Sequence, residues 1–178
     1  SPTNMMAEVE RFVVLWNLLE LMSTITEALV MEHAIFCAVF DQVEGVLPRL
    51  SSAQEAKLLA TVAEGLLSNH AETEKNLAYS VLDHVLNEDD RLNRLHQDHH
   101  EIDEHFKRVH RAKEPAEAQR LLKKALAATR EHFRREEEII FPFLERVLRP
   151  ETLETLGKAW MASNSASAQS VVRNRVTT

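Results

Sequence analysis

The sequence predicts an all-α fold: an up-down-up-down four-helix bundle with a short N-terminal helical extension and a short C-terminal helix. Three observations carry that expectation. A chain of 178 residues can bury one sizeable core. It holds only 3 Gly and 5 Pro against 44% hydrophobic and 28% charged residues, and no stretch alternates apolar and polar side chains long enough for a strand. Pro48, Pro115, Pro150 and the polar run Asn87 to Asp90 fall where helices should stop.

Residues 1 to 21 read as an extension, with a short amphipathic helix from Glu8 to Leu21. Its apolar core Phe12 to Trp16 is flanked by Glu8, Glu10, Asn17 and Glu20, too short and too polar a run to span a membrane, and no basic segment precedes it as in a signal peptide. The bundle domain is placed at 22 to 162. Its long helices are expected at about 23 to 47, 53 to 86, 90 to 112 and 116 to 148. Ser52 with Glu55 three residues on forms a capping box opening the second. Short connections between long helices imply antiparallel neighbours. A fifth helix is expected from Glu151 to Met161, followed by a Ser/Asn/Ala-rich tail, 163 to 178, with too few apolar residues to pack and therefore expected to be disordered.

The formal charge of -7 comes from acids interleaved with bases, as where Arg130, Arg134 and Arg135 sit beside Glu131, Glu136, Glu137 and Glu138. That pattern argues against nucleic acid as a partner. One cysteine, Cys37, excludes an internal disulfide framework and favours the cytoplasm.

Each long helix carries an apolar stripe at alternating three- and four-residue spacing. Polar residues interrupt all four stripes. The first runs Leu29, His33, Phe36, Phe40, Val43, Leu47. The second runs Leu67, His70, Glu74, Leu77, Val81. The third runs Leu92, Leu95, His99, Ile102, Phe106, Val109, and the fourth Thr129, His132, Glu136, Ile140, Phe143, Val147. Singly, a histidine on an apolar stripe reads as a satisfied core residue, and a His/Glu pair four residues apart as a helix-stabilising contact. Four seams broken by the same chemistry favour a shared metal site.

A buried carboxylate without a partner costs several kcal/mol, on the order of 2–7 by transfer measurements, so a positive group belongs between Glu74 and Glu136. Imidazole nitrogen with carboxylate oxygen suits iron, manganese or zinc. Six donors, His33, His70, Glu74, His99, His132 and Glu136, exceed the needs of one tetrahedral ion and match two iron ions bridged by carboxylates and an oxygen, with a position open for a small ligand. The third helix leaves a choice: His99 with His96 at its flank as a fifth histidine, or His96 with His100 at four-residue spacing. Glu137 stands as an alternative to Glu136, and His84 and His110 read as surface or boundary residues. The ligand pocket is expected to be dry and lined by residues such as Phe36, Phe40, Ile102 and Ile140.

These residues resemble the hemerythrin-like family, the HHE cation-binding domain, over about residues 23 to 148. The marks are Glu32-His33, His70-Ala-Glu-Thr-Glu74, Asp98-His99-His-Glu-Ile102 and His132-Phe-Arg-Arg-Glu136-Glu-Glu-Ile-Ile-Phe-Pro142. The resemblance implies a four-helix bundle around a non-haem di-iron centre. Glu74 and a fourth-helix carboxylate would bridge the metals, and histidines would complete the shells. It further implies oxygen or nitric oxide as ligand, or roles in iron handling, iron-sulfur repair or peroxide chemistry, with a partner protein as an option. Two features depart from the oxygen carriers of the family. Leu95 stands where their third helix has a histidine, and Glu136 follows its histidine by four residues, as in regulatory and repair relatives, where carriers use five. A ferritin-like oxidase would show Glu three residues before His on two helices, and none of the nine histidines has it.

Overall fold

The computed structural model describes residues 24–79 and 90–176, without the side chains of 79, 90–93, 95, 96 and 164–176. The N-terminal extension therefore lies outside the described residues, as do His84 and the side chains of Leu95 and His96. Every described element is helical: α1 (Ile25–Val46), a 3-10 turn (Leu47–Arg49), α2 (Ala53–Glu74), a π turn (Lys75–Tyr79), α3 (Asp90–Arg111), α4 (Pro115–Arg135), a second π turn (Glu136–Ile140), α5 (Phe141–Val147) and α6 (Pro150–Val176). None of the described helices is long and apolar enough to cross a membrane.

Local chemistry explains where the helices begin. Before α1, Thr24 and Glu27 bond reciprocally, each backbone N–H donating to the other's side-chain oxygen. Ser52 and Glu55 do the same before α2, so two otherwise orphaned N–H groups are satisfied at each start. Pro48 opens the 3-10 turn and Pro115 opens α4, where a missing N–H costs nothing.

The described residues form two compact units, one within Glu32–Leu144 and one of residues 24–31 with those from Glu145 on. In the first, α2 presents Ala56, Ala60 and Ala63 to the core, small side chains that let neighbouring helices approach. Helix α4 fills the space with Leu121, Leu122 and Leu126, the rings of Phe36 and Phe40 pack on Phe133, and Phe106 is buried in the same core. In the second unit, Ile25, Leu29, Leu153 and Trp160 are buried and the Thr26 hydroxyl donates to Glu145 at 2.7 Å.

Three expectations change. The second long helix leaves α geometry after Glu74 instead of running unbroken to 86. In the fourth, the expected stripe of Ile140, Phe143 and Val147 is replaced by Ile140, Phe141 and Leu144, with Val147 exposed. The cause is the π turn, which takes in one extra residue and moves the register of everything beyond it. It also accounts for Pro142. In α geometry that ring would clash with the Glu138 carbonyl, whereas here the turn widens just ahead of it, with the Phe141 N–H bonded to the Glu136 carbonyl. Finally, α6 continues to Val176, past the expected end at Met161 and into the tail expected to be disordered. Residues 162–176 hold no Pro or Gly to stop a helix.

Candidate metal centre

Against Phe133 and Phe36 the core turns polar. Helix α1 supplies His33, α2 supplies His70 and Glu74, α3 supplies His99, α4 supplies His132, and the second π turn opens on Glu136. His70 and Glu74, like His132 and Glu136, are four residues apart, so each pair shares one helix face. The intrahelical distances are 3.4 Å from His70 Nε2 to Glu74 Oε1 and 3.3 Å from His132 Nε2 to Glu136 Oε1. Both pairs end where a π turn begins, a feature that interrupted helices often show at functional sites. Nothing in the residue pattern announced those turns except Pro142.

The two carboxylates tie the four helices together. Glu74 Oε1 lies 3.7 Å from His33 Nε2, while its Oε2 lies 3.8 Å from His99 Nε2. Glu136 turns Oε2 towards His33 Nε2 at 3.5 Å and Oε1 towards His132. The result is two overlapping groups able to hold a metal ion, His33, His70, Glu74 and Glu136 on one side, and Glu74, His99, His132 and Glu136 on the other. All six donors expected from the sequence come together here. His100 is exposed instead.

An outer ring of carboxylates orients the histidines. His70 Nδ1 is 2.8 Å from Glu32, His33 Nδ1 is 2.9 Å from Glu137, and His132 Nδ1 is 3.6 Å from Asp98. Asp98 is only 3% exposed; Nη1 of Arg135 donates to both of its oxygens at 2.7 Å, and Arg94 Nε lies 3.2 Å from Oδ1. Glu137, the alternative to Glu136, thus sits on the far nitrogen of His33, and Glu136 is the acid inside both donor groups. The outer roles of Glu32 and Asp98 were missed by the sequence reading. The available signal was position: each immediately precedes a stripe histidine, about 100° around the helix, and so reaches the histidine of a neighbouring helix rather than its own.

The electrostatics fit a cation. Burial pushes His33 down to about 2, with His70 and His132 adding to the effect. Burial does the same to His132, also to about 2, helped by His99, His70 and Arg135. Both rings are therefore neutral and able to offer lone pairs. Glu74 is fully buried and its carboxyl is held well above the usual range, first by burial and then by Glu136 and Glu32. Neither Glu74 oxygen has a hydrogen-bond partner, nor does either ring nitrogen of His132. His33 and His70 point Nε2 at each other across 3.0 Å. With His33 neutral and its Nδ1 donating to Glu137, its Nε2 presents a lone pair towards the His70 ring, an arrangement suited to a cation between them.

The pocket beside this centre differs from the one expected. A cavity of about 580 Å³ lies between α2 and α3, touching His70, His99 and His132 with Ile102, Phe106 and Phe133 behind them, and Glu64, Glu72, Lys75 and Asp103 also line it. Of the four residues expected to line the pocket, Phe36, Phe40 and Ile140 do not. Phe36 and Phe40 pack in the core on Phe133, which also stacks on His33 at 3.9 Å. His110, a boundary residue as read, pairs with Glu64 at 2.6 Å.

The family model for the hemerythrin HHE cation-binding domain matches residues 24–144. The chain belongs to that family. The matched span of this HHE cation-binding domain contains the buried His/Glu group described above, which is able to hold a metal ion. No curated protein and no solved structure matches the chain.

Proposed function

We propose that this HHE domain is a non-haem di-iron protein that binds or senses oxygen, or another small diatomic such as nitric oxide. The observation that carries this reading is the way Glu74 and Glu136 each divide their two oxygens between the His33/His70 side and the His99/His132 side, as carboxylates bridging two ions do. One ion would take His33 and His70, the other His99 and His132, with His96 as a candidate fifth histidine. A ferrous pair supplies the electrons that hold oxygen when bound. The chain's own residues do the rest. Glu32 and Glu137 fix the tautomers of His70 and His33 and raise their donor strength, Asp98 places a negative charge 3.6 Å from His132 Nδ1, and Phe133 and Phe36 pack against the His33 and His70 rings. The single cysteine supports a cytoplasmic location.

A second reading, iron handling or peroxide chemistry, is favoured by His99, whose side chain is 26% exposed beside a cavity larger than a diatomic requires. Metal analysis and absorption spectra taken anaerobically, in air and after return to anaerobic conditions test both. Two irons per chain and a reversible band support oxygen binding, irreversible bleaching supports the second reading, and a chain that takes no iron on reconstitution refutes both.

A further inference from the structure

The six donors are unequally accessible. His33, His70, Glu74, His132 and Glu136 are buried, and His99 alone is partly open. That open donor lines the cavity between α2 and α3, together with His132, a buried side chain with no hydrogen bond on either nitrogen. A water molecule occupies about 30 Å³, so an ion with six waters needs on the order of 200 Å³, well within about 580 Å³. Exposed Glu72 and Asp103 are among the lining residues, and Ser68 and Ala71 give the wall a small-residue stretch. Glu64 is paired with His110 at 2.6 Å, and Lys75 is the single lysine or arginine among the lining residues.

We infer that this cavity is the passage by which divalent metal ions enter and leave the centre, with Glu72 and Asp103 drawing the hydrated ion to His99. The inference rests on the metal-binding reading of the same site. Charges that line a low-dielectric cleft concentrate ions of opposite sign and raise their rate of entry, an effect that weakens with salt. At His99 the ion trades its first waters for imidazole, and His132 and Glu74, whose nitrogen and oxygen atoms make no hydrogen bonds, then complete its transfer inward. Lys75 opposes entry and limits its rate.

The test is stopped-flow uptake of Co²⁺ by the full chain after chelator stripping, read by cobalt absorbance, with the ions bound at equilibrium counted separately. The E72Q/D103N double variant is expected to load about three-fold more slowly at low salt, with a flatter salt dependence and an unchanged ion count. K75E is expected to load faster. Ala71→Phe should slow both uptake and the release of cobalt from loaded protein to EDTA, a measurement that needs no metal-free fold. Wild-type rates in E72Q/D103N and K75E, or wild-type release in Ala71→Phe, overturn the passage while leaving the metal centre standing. A wild-type chain that binds no cobalt overturns the metal reading and the passage with it.

Discussion

Replacing Glu74 by Gln should change stability in opposite directions with and without metal. In the metal-free chain Glu74 is fully buried, neither oxygen has a hydrogen-bond partner, and its carboxyl is held well above the usual range by burial and by Glu136. A neutral amide of the same shape removes the charged form and its desolvation penalty. That relief is worth about 1–3 kcal/mol, the usual size for relieving an ill-paired buried polar group. For a chain of this length it raises the melting temperature by about 2–10 °C. On the two-ion reading proposed above, both ions would lose an oxygen donor at once, since Oε1 faces His33 and His70 and Oε2 faces His99. Affinity should fall at least 100-fold, about 2.7 kcal/mol, for each ion. Thermal melts of wild type and Glu74→Gln, each in chelator and with two equivalents of metal, give all four values. The reasoning is refuted if Glu74→Gln lowers the melting temperature in chelator, or if it still holds two ions at wild-type affinity.

Three further outcomes follow from the same geometry. Asp98→Asn should lower metal affinity about 10–100-fold by isothermal titration, because it removes the carboxylate facing His132 Nδ1 and leaves Arg135 and Arg94 without their shared partner. Phe133→Ala should cost about 3–5 kcal/mol in denaturant melts, since the ring is buried against Phe36, Phe40 and His33. The pH dependence should differ between loaded and metal-free protein. His33 and His132 have folded values lowered to about 2 from 6.5, so their contribution is present above pH 6.5 and lost as pH falls towards 2. Glu74 is raised, so in metal-free protein its contribution is present below 4.5 and lost as pH climbs. Metal displaces that proton, and the gap in melting temperature between loaded and metal-free protein should widen from pH 5 to pH 8. A constant gap would contradict the assignment of Glu74 as a donor.

The helical class and the starts of α2 and α4 were legible because they depend on neighbours in sequence: Ser52 with Glu55, Pro115 at the first helical position, and stripes repeating every three or four residues. The six-donor set was legible for a related reason. On a helix, four residues is nearly one turn, so His70 with Glu74 and His132 with Glu136 must share a face whatever the bundle does. The fourth helix beyond Glu136 was misread because the expected stripe assumed 3.6 residues per turn throughout, and the π turn adds a residue that no periodicity in the chain reveals. The pocket was misplaced for a different reason. Apolar stripe residues mark where helices pack closely, which is the core around Phe36 and Phe40, whereas the cavity opens where α2 and α3 are lined by Ser68, Ala71 and charged side chains.

By itself, the sequence determined that this protein is helical, that its four long helices each carry histidine into an apolar stripe, and that two of those stripes pair it with glutamate. Only the tertiary structure decided the relations between helices: Glu136 rather than Glu137 inside the donor groups, Glu32 serving His70, Asp98 serving His132, and His99 as the one donor open to the cavity. The division has a physical basis. Contacts within a helix follow from its fixed 100° turn, but contacts between helices depend on how far each is rotated about its axis. Packing of the whole core sets that rotation, and the two π turns reset it at Glu74 and Glu136.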